Sequence, residues 1–563
     1  MKRHSDWPFR RWRLGRWLPG MDAPSHVLVL WFLLIVAFAF ALRISGIHDR
    51  SIWNDEDHQA RRSLVGPFGF ALPLESSVQQ QPPLDYLFES IALRNFGITE
   101  VGARIEAAFT GSLAAGLLFL LLWGLTRHGW IPVLGALLMA IHPMLVRYGQ
   151  EGRPISICVL FSVATLRCIC LALSEERFDL RRFFFMTAIQ TLFLLSAGLQ
   201  PAVFLASTSL ALVPFLAFRP LRLKILGVWG SAGLSLLLAS PLLWVTVMEG
   251  RPYLKHGDAS AVFASLMDTI SFPSFAEYGH FINSLLDGWW PVFVGLLVLA
   301  VIGWRMARRR EGYGRFQAQF VVFMLLVLIL FPLVFLVAFK SFVKWKMTTR
   351  YYLTLATVVI TTLALGVYLA RPVIMALFAR HKVLGMATGI LMGLFFAKGL
   401  YGWETERATL VADKGHNWEG LYTLFQKEER PASAYLINLV PPQKWSPGFY
   451  SMRFYYDSGP RRTKLRLYKD LLKDLKKPRM WENAGSVFLV FHYGADKIKP
   501  ETVRGIPGVE SHFFPGLTTL RVTAQSDQRA AVLSLFQSLR DRLPKDQGNF
   551  RLAEVLARNP RPK

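Results

Sequence analysis

The chain has 563 residues, of which 53% are hydrophobic and only 18% are charged. It carries 64 Lys and Arg against 38 Asp and Glu, a formal net charge of +26, and its mean hydropathy is +0.33. These values exclude disordered, collagen-like and coiled-coil chains and favour a membrane part joined to a soluble part. Because membrane proteins collect basic residues on their cytoplasmic side, the positive charge predicts no nucleic-acid partner.

About eleven apolar segments are long enough for transmembrane helices, each of which needs about 20 residues. The first, at 26–42, follows a basic arm without a convincing cleavage site, so we predict an uncleaved span and a cytoplasmic N-terminus. The remaining segments are 105–125, 129–147, 154–173, 183–199, 201–218, 225–248, 289–304, 317–339, 351–370 and 383–400. Basic loops then alternate with the spans and place the C-terminus outside. The last span carries tandem GxxxG, typical of close helix packing.

Three regions follow from this pattern: a cytoplasmic basic arm at 1–25, a transmembrane domain at 26–402, and a periplasmic tail at 403–563. The transmembrane domain includes a large first periplasmic loop at 43–104. The tail has strand patterns at 433–440, 449–456, 485–494 and 518–524 and helical patterns at 465–477 and 530–543. The predicted fold is therefore a polytopic α-helical membrane protein with a small C-terminal α/β domain.

The first loop carries an acidic run, Asp55, Glu56 and Asp57, shortly after the first span. A carboxylate beside a membrane surface is suited to act as a general base, because partial desolvation brings its pKa toward working pH. A solvated acidic loop is the alternative. Together with His58, these residues could bind a divalent cation, although the side chains of adjacent residues in a helix point in different directions.

A predicted amphipathic helix starts at Pro82-Pro83 and ends near Phe96-Gly97, with an apolar stripe formed by Leu84, Leu87, Phe88, Ile91 and Ala92. Such a helix lies in the membrane interface or packs on the spans. The spans themselves are expected to hold almost no buried charge, which counts against ion-coupled transport.

Two further loops concentrate charge on the predicted outer side. The turn after the third span holds Arg147, Tyr148, Gln150, Glu151 and Arg153, where the arginines pair with Glu151 or bind an anionic headgroup. The late loop holds Lys340, Lys344, Lys346 and Arg350, followed by the interfacial aromatics Tyr351 and Tyr352. A phosphate at the membrane surface explains this second cluster, and ordinary binding of anionic lipid explains it equally well.

Five motifs follow one another along the chain, namely Asp55-Glu56, QPPLDY, GARIEAAFTGSLA, YGQEGRPIS and Arg350-Tyr351-Tyr352. Their order resembles that of the corresponding motifs in the GT-C membrane glycosyltransferases. The chain is most similar to glycosyltransferase family 39-like proteins, which include protein O-mannosyltransferases, the aminoarabinose–lipid A transferase and bacterial core galacturonosyl transferases. The resemblance covers about 45–165 firmly and 340–370 more thinly. Asp85 departs from it, since many relatives have a second Tyr there.

The resemblance implies a polyprenyl-phosphate-linked sugar as donor and an acceptor on the extracytoplasmic face of a bacterial inner membrane. Asp55 then acts as base on the acceptor hydroxyl, with Glu56 as its acidic partner. The donor phosphate is then bound by Arg350, Lys344, Lys346 and Arg153. The substrate is positioned by Tyr148, Glu151, Gln81, Asp85 and Tyr351. No metal ligand is implied, and no cofactor except the divalent cation left open above.

Two other functions stay open at this point. A transporter or flippase of lipid-linked glycans shares the basic phosphate loop without needing Asp55. A non-enzymatic assembly component would use the tail for docking. Lipid A, core oligosaccharide, an exported polysaccharide and a protein hydroxyl are all compatible acceptors.

Overall fold

The computed structural model of the chain describes residues 25–48, 52, 54–64, 83–126, 130–174, 179–197, 199–249, 313–342, 352–380 and 401, and in the tail 421, 423–424, 432–438, 463–467, 471, 474–475, 486–492, 498, 500–504, 506, 508–514, 517–523 and 528–542. These residues form two compact units. One lies within Met1–Ser45, Ser63–Ala92 and Arg104–Glu406, and the other within Gly46–Arg62, Leu93–Ala103 and Arg407–Lys563. The domain boundaries at 25 and 402 stay predictions.

Long apolar helices dominate the described residues before the tail. In chain order they are α1 (Ser25–Ile44), α2 (Asn54–Leu64), α3 (Pro83–Phe96), α4 (Glu100–Thr126), α5 (Trp130–Ile141), α6 (Pro143–Tyr148), α7 (Ile155–Ser174), α8 (Leu180–Leu194), α9 (Leu199–Ala211), a 3₁₀ turn (Val213–Ala217), α10 (Arg219–Glu249), α11 (Tyr313–Phe342) and α12 (Thr354–Arg380). The predicted helix from Pro83 to Phe96 is confirmed, and Gly97 ends it with a φ of 81° that favours glycine.

Seven helical stretches in the described residues are long and apolar enough to cross a membrane. They are His26–Ile44, Glu100–Thr126, Ile155–Ser174, Gln200–Ala217, Arg219–Pro241, Phe316–Phe335 and Thr354–Arg371, and each matches a predicted span. The predicted spans at 289–304 and 383–400, with the tandem GxxxG of the latter, lie outside the described residues. The chain is a multi-pass membrane protein.

Two predicted spans are shorter than their hydropathy indicates. The segment 129–147 contains α5, of 12 residues, and then α6, because His142 is extended and Pro143 opens a new helix. The segment 183–199 contains α8, which has 15 residues and ends at Leu194. The mean hydropathy over a window of residues does not reveal such breaks, because it averages across them.

The spans differ in how much of their surface other helices cover. Only 22% of the first span is buried, whereas 78% of the spans in α7 and α12 is buried. Apolar side chains such as Leu30 and Leu33 are therefore exposed on α1, as expected for a helix that faces lipid. Helix α12 packs against α5, α7 and α11, and α11 also packs against α9.

Polar side chains join some of the buried helix faces. The Ser231 hydroxyl donates to Gln190 Oε1 at 2.9 Å, and Thr187 donates to Ser231 Oγ at 3.1 Å, which links α8 to α10. Ser162 donates to Thr357 Oγ1 at 3.4 Å between α7 and α12. Such hydrogen bonds stabilise helix packing in lipid, because an unpaired polar group there cannot form a hydrogen bond with water instead.

The tail contains a five-stranded sheet with two short helices among its described residues. The elements are β1 (Ala432–Asn438), β2 (Thr463–Leu467), β3 (Val487–His492), α13 (Pro500–Val503), β4 (Val509–Phe514), β5 (Leu517–Val522) and α14 (Gln528–Arg542). The strand order is β2-β1-β3-β5-β4, with β1 parallel to β2 and β3, and β5 antiparallel to β3 and β4. Leu489, Leu520 and Phe536 are among its buried core residues.

Sequence patterns located most of these tail elements. The strands predicted at 433–440, 485–494 and 518–524 and the helix at 530–543 are confirmed by β1, β3, β5 and α14. The pattern at 449–456 lies outside the described residues. The helical prediction for 465–477 is wrong at its start, because Leu465 to Leu467 belong to β2 and pair with β1. Sheet pairing overrides local helical periodicity there.

Candidate active site

The acidic run of the first loop forms the first turn of α2. Asp55, Glu56 and Asp57 all lie there, where the positive end of the helix dipole favours carboxylates. Glu56 and Asp57 are fully buried, while Asp55 is half-buried. Among the three, Asp55 is therefore the most accessible carboxylate.

A metal site is absent from the part of the chain that the structure describes. No group of three or more His, Cys, Asp or Glu is arranged there to hold an ion. The side chain of His58, the fourth member of the acidic cluster, lies outside that part. The three cysteines are buried and unbridged inside α7.

Helix α3 turns acidic side chains inward and apolar ones outward. Asp85 and Glu89 are 2% and 1% exposed, whereas Phe88 and Ile91 are 40% and 49% exposed. The expected apolar stripe is therefore split, because only Ala92 of its five residues is buried. An apolar outer face suits a helix at the membrane interface, and the buried inner face suits packing on the spans, so both predicted placements stay open. At its start, the backbone N–H of Leu84 also donates to the carbonyl of Leu195, just after α8.

The inward face of α3 places carboxylates beside polar and ionisable neighbours. The Ser63 hydroxyl donates to Glu89 Oε2 at 2.6 Å, and both residues are buried. The Asp85 carboxylate lies close enough to Glu106 of α4 and to Cys158 of α7 to act on both electrostatically. Asp85, proposed from sequence to position substrate, is thus enclosed among the helices of the first unit.

The charged turn between α6 and α7 is tightly folded. Arg147 Nε lies 3.8 Å from Glu151 Oε1, which confirms the pairing with Glu151 as one reason for an arginine at this position. The backbone N–H of Arg153 donates to the Glu151 carbonyl at 2.8 Å. Glu151 is buried, whereas Tyr148 and Arg153 are half-buried and so accessible from outside. The turn therefore leaves two cations, Arg147 and Arg153, and one aromatic ring partly accessible, while its carboxylate stays inside.

The late basic loop lies outside the described residues, and so do Lys344, Lys346, Arg350 and Tyr351. Gln81, just before α3, does as well. The chain is described again from Tyr352, which is 1% exposed and lies against the rings of Phe331 and Phe335 of α11. The prediction of an interfacial role for Tyr352 is wrong, because its ring packs inside the protein.

Charged residues are buried in two of the membrane-crossing helices, contrary to expectation. Arg43 of α1 is 1% exposed, and Arg104 and Glu106 of α4 are 0% and 9% exposed. Hydropathy windows tolerate one or two charges near a span's end, so they gave no signal. The signal that would have found these residues is an ionisable side chain inside an apolar run, which marks a functional position by default.

Comparison with known proteins gives structural likenesses alone. No protein-family model and no curated protein matches the chain. The crystal structure of apo ArnT from Cupriavidus metallidurans is 13% identical with a TM-score of 0.48, covering 88% of this chain and 99% of that one. ArnT bound to undecaprenyl phosphate is 14% identical with a TM-score of 0.43, covering 89% and 99%.

The archaeal oligosaccharyltransferase AglB from Archaeoglobus fulgidus, in complex with an inhibitory peptide and a dolichol-phosphate, is 13% identical with a TM-score of 0.41. That likeness covers 89% of this chain and 74% of AglB. With TM-scores below 0.5, these likenesses leave the assignment of an activity to the chain's own residues. The chain is thus similar in structure to ArnT and to AglB, at low identity and over most of its length.

Proposed function

We propose that the chain is a membrane glycosyltransferase that moves a sugar from a polyprenyl-phosphate donor to an acceptor hydroxyl or phosphate. The observation that carries the proposal is the first turn of α2, where Asp55 is the reachable carboxylate beside the buried Glu56 and Asp57. An enclosed acidic cluster with one accessible member is suited to general-base catalysis. The loop motifs that resemble the GT-C enzymes place the same residue in that role.

In the proposed reaction, the Asp55 carboxylate takes the proton of the acceptor hydroxyl. The oxygen of that hydroxyl attacks the anomeric carbon of the donor sugar at the same time. The bond from that carbon to the donor phosphate breaks, and polyprenyl phosphate leaves with the electron pair. Attack from the face opposite the phosphate inverts the anomeric centre. Glu56, buried next to Asp55 in the chain, holds the base in place rather than contacting the acceptor.

Cationic side chains stabilise the charge that grows on the leaving phosphate. We assign this role to Arg350, Lys344 and Lys346 of the late loop and to Arg153 of the α6–α7 turn. The half-buried position of Arg153 supports the assignment, because part of its side chain reaches the surface of the turn.

The remaining assignments concern substrate positioning. Tyr148 has a partly accessible ring, and Glu151 forms an ion pair with Arg147. Asp85 is buried on the inner face of α3. Gln81 and Tyr351 complete this group in the proposal.

The proposal places the first loop and the tail on the periplasmic side of a bacterial inner membrane, with the N-terminus in the cytoplasm. The donor's polyprenyl chain then lies among the spans, and its phosphate lies at the surface. The acceptor is a lipid, glycan or protein group on that side. The tail is the part of the chain free to recognise it.

The test is transfer of radiolabelled sugar from a panel of polyprenyl-phosphate sugars by the purified full chain in detergent. Asp55→Asn should lower kcat by about 10²-fold or more, because it removes the base. Glu100→Gln is the matched control, since Glu100 is also a half-buried carboxylate in the first turn of a helix and has no assigned chemistry. Equal activity of Asp55→Asn and the unaltered chain would overturn the mechanism.

A flippase or transporter of lipid-linked glycans is the second candidate. The buried Arg43, Arg104 and Glu106 favour it, because intramembrane charges often line a transport path. Transfer in detergent separates the two functions, since a flippase has no product without two membrane faces. Movement of a lipid-linked sugar across vesicles by the Asp55→Asn variant, without transfer by any variant, would establish the second candidate.

A further inference from the structure

Arg43, in the last turn of α1, is a buried arginine inside a membrane-crossing helix. Its Nη1 donates to the carbonyl of Ala39, in the same helix, at 3.1 Å and to the carbonyl of Ala140 at 3.2 Å. Ala140 belongs to the last turn of α5, whose final carbonyls have no partner within the helix. One guanidinium group therefore bridges the ends of two helices.

The charge of Arg43 is balanced by backbone dipoles. Among the described residues, no carboxylate forms a salt bridge with it, and its two acceptors are the carbonyl of Ala39, within α1, and that of Ala140, in the last turn of α5. The C-terminal end of a helix carries about half a negative charge, so the end of α5 offsets part of the guanidinium charge. Both acceptors are backbone atoms of helices, so they hold the guanidinium in a fixed place.

Two glycines make room for the Arg43 side chain. A Cβ at Gly111 of α4 would lie 2.9 Å from Arg43 Nε, and a Cβ at Gly149 would lie 2.7 Å from Nε and 2.8 Å from Cδ. These contacts are closer than carbon and nitrogen atoms tolerate. The arginine therefore passes between α4 and the first residue of the α6–α7 turn with no space to spare.

A second bond connects the same two segments. The Gln150 side chain donates through Nε2 to the carbonyl of Ser45 at 2.7 Å. Residues 43–45 at the end of α1 are thus joined to 149–150 by one hydrogen bond and one close packing contact. We call these four residues, Arg43, Ser45, Gly149 and Gln150, the buckle.

We propose that Arg43 is a positioning residue, which through the buckle fixes the start of the first loop against the turn that carries Glu151 and Arg153. This inference rests on the proposed function, in which that turn contacts the donor. A residue that only orients others changes kcat by displacing groups from their productive geometry, and displacement by about 1 Å can cost about 10²-fold in rate.

The test compares three full-length variants in detergent. Arg43→Met keeps bulk but removes both bonds of the guanidinium, and Arg43→Lys keeps the charge but reaches fewer acceptors. Arg167→Met is the matched control, because Arg167 also donates from a membrane-crossing helix to a backbone carbonyl, that of Leu120, away from the buckle. Hydrogen exchange by mass spectrometry of residues 44–48 and 149–153 is measured beside transfer kinetics.

Arg43→Met should raise exchange in both segments by about tenfold and lower kcat by about tenfold or more, with the donor KM within about twofold. Arg43→Lys should recover part of both effects, and Arg167→Met should leave both segments unchanged. Unchanged exchange in Arg43→Met, or raised exchange with an unchanged kcat, would overturn the inference. If the unaltered chain transfers no sugar, the proposed function fails, while the exchange comparison still decides whether Arg43 orders the turn.

The close contact at Gly149 supplies an independent check. Gly149→Ala pushes a methyl group onto the Arg43 side chain, so it should raise exchange at 149–153 in the natural background. In an Arg43→Ala background that methyl group has space, and the second change should add less than about twofold. Full additivity of the two changes would contradict the packing that defines the buckle.

Discussion

The corner between α3 and α4 allows the sharpest test of the fold. A Cβ at Gly102 would lie 2.0 Å from the carbonyl oxygen of Gly97 and 3.2 Å from its carbonyl carbon. Nonbonded atoms prefer about 3.5–4.0 Å, so Gly102→Ala forces the Gly97 carbonyl to retreat by about 1 Å or more. Gly97 itself has a φ of 81°, a conformation that favours glycine and forms the corner at the end of α3.

Overpacking of this kind costs about 1–3 kcal/mol, and a backbone obstacle places Gly102→Ala at the upper end. The same change also strains the helix cap, because the Gly102 N–H donates to Thr99 Oγ1 at 3.1 Å. We expect the apparent Tm of the full chain in detergent to fall by about 2–3 °C. Fluorescence-detected size-exclusion chromatography after heating measures this fall.

Gly233→Ala is the matched control for that measurement. Gly233 lies inside α10, and a Cβ there meets nothing within 4 Å. Because alanine favours a helix by about 1 kcal/mol over glycine, this variant should keep or raise the Tm. If Gly102→Ala were as stable as Gly233→Ala, the close approach of Gly97 to α4 would be refuted.

Three further predictions follow from buried groups. Ser63→Ala removes the 2.6 Å bond to Glu89 and should destabilise the chain by about 1–3 kcal/mol in thermal unfolding, whereas Ser240→Ala, at an exposed serine, should be nearly neutral. Tyr435→Phe removes the donor to Asp474 Oδ2 at 2.8 Å, so the tail of the full chain should become protease-sensitive at a lower temperature; equal protection would contradict the buried bond. A maleimide should label the chain only after denaturation, since its three cysteines, Cys158, Cys168 and Cys170, are all buried. Rapid labelling without denaturant would refute their buried placement.

Hydropathy located seven of the spans because lipid imposes a length and a composition that any sequence must meet. It failed at His142-Pro143, where a break in the backbone interrupts an apolar run without changing its average. The tail strands were found by their alternation and β-branched content, while β2 was missed because its last three residues were read as the start of the helical pattern at 465–477.

The candidate site was only partly visible in the sequence. The acidic run and the charged turn were found because charge next to a predicted span is unusual. Arg43 and Glu106 were not found, because their roles depend on what other helices bring next to them. The inward turn of Asp85 was missed for the same reason: an amphipathic pattern gives the two faces of a helix but not which face meets the protein.

The strand order of the tail also bears on how the protein is made. Strand β3 pairs with both β1 and β5, so the middle of the sheet is built from three strands that are far apart along the chain. As synthesis proceeds, β1 can pair on one side as soon as β2 at Thr463–Leu467 has been made, but its other edge stays open until β3 at Val487–His492 has followed. An open strand edge invites wrong pairing during that interval. Correct assembly of the tail therefore depends on keeping that edge of β1 unpaired until β3 has been made.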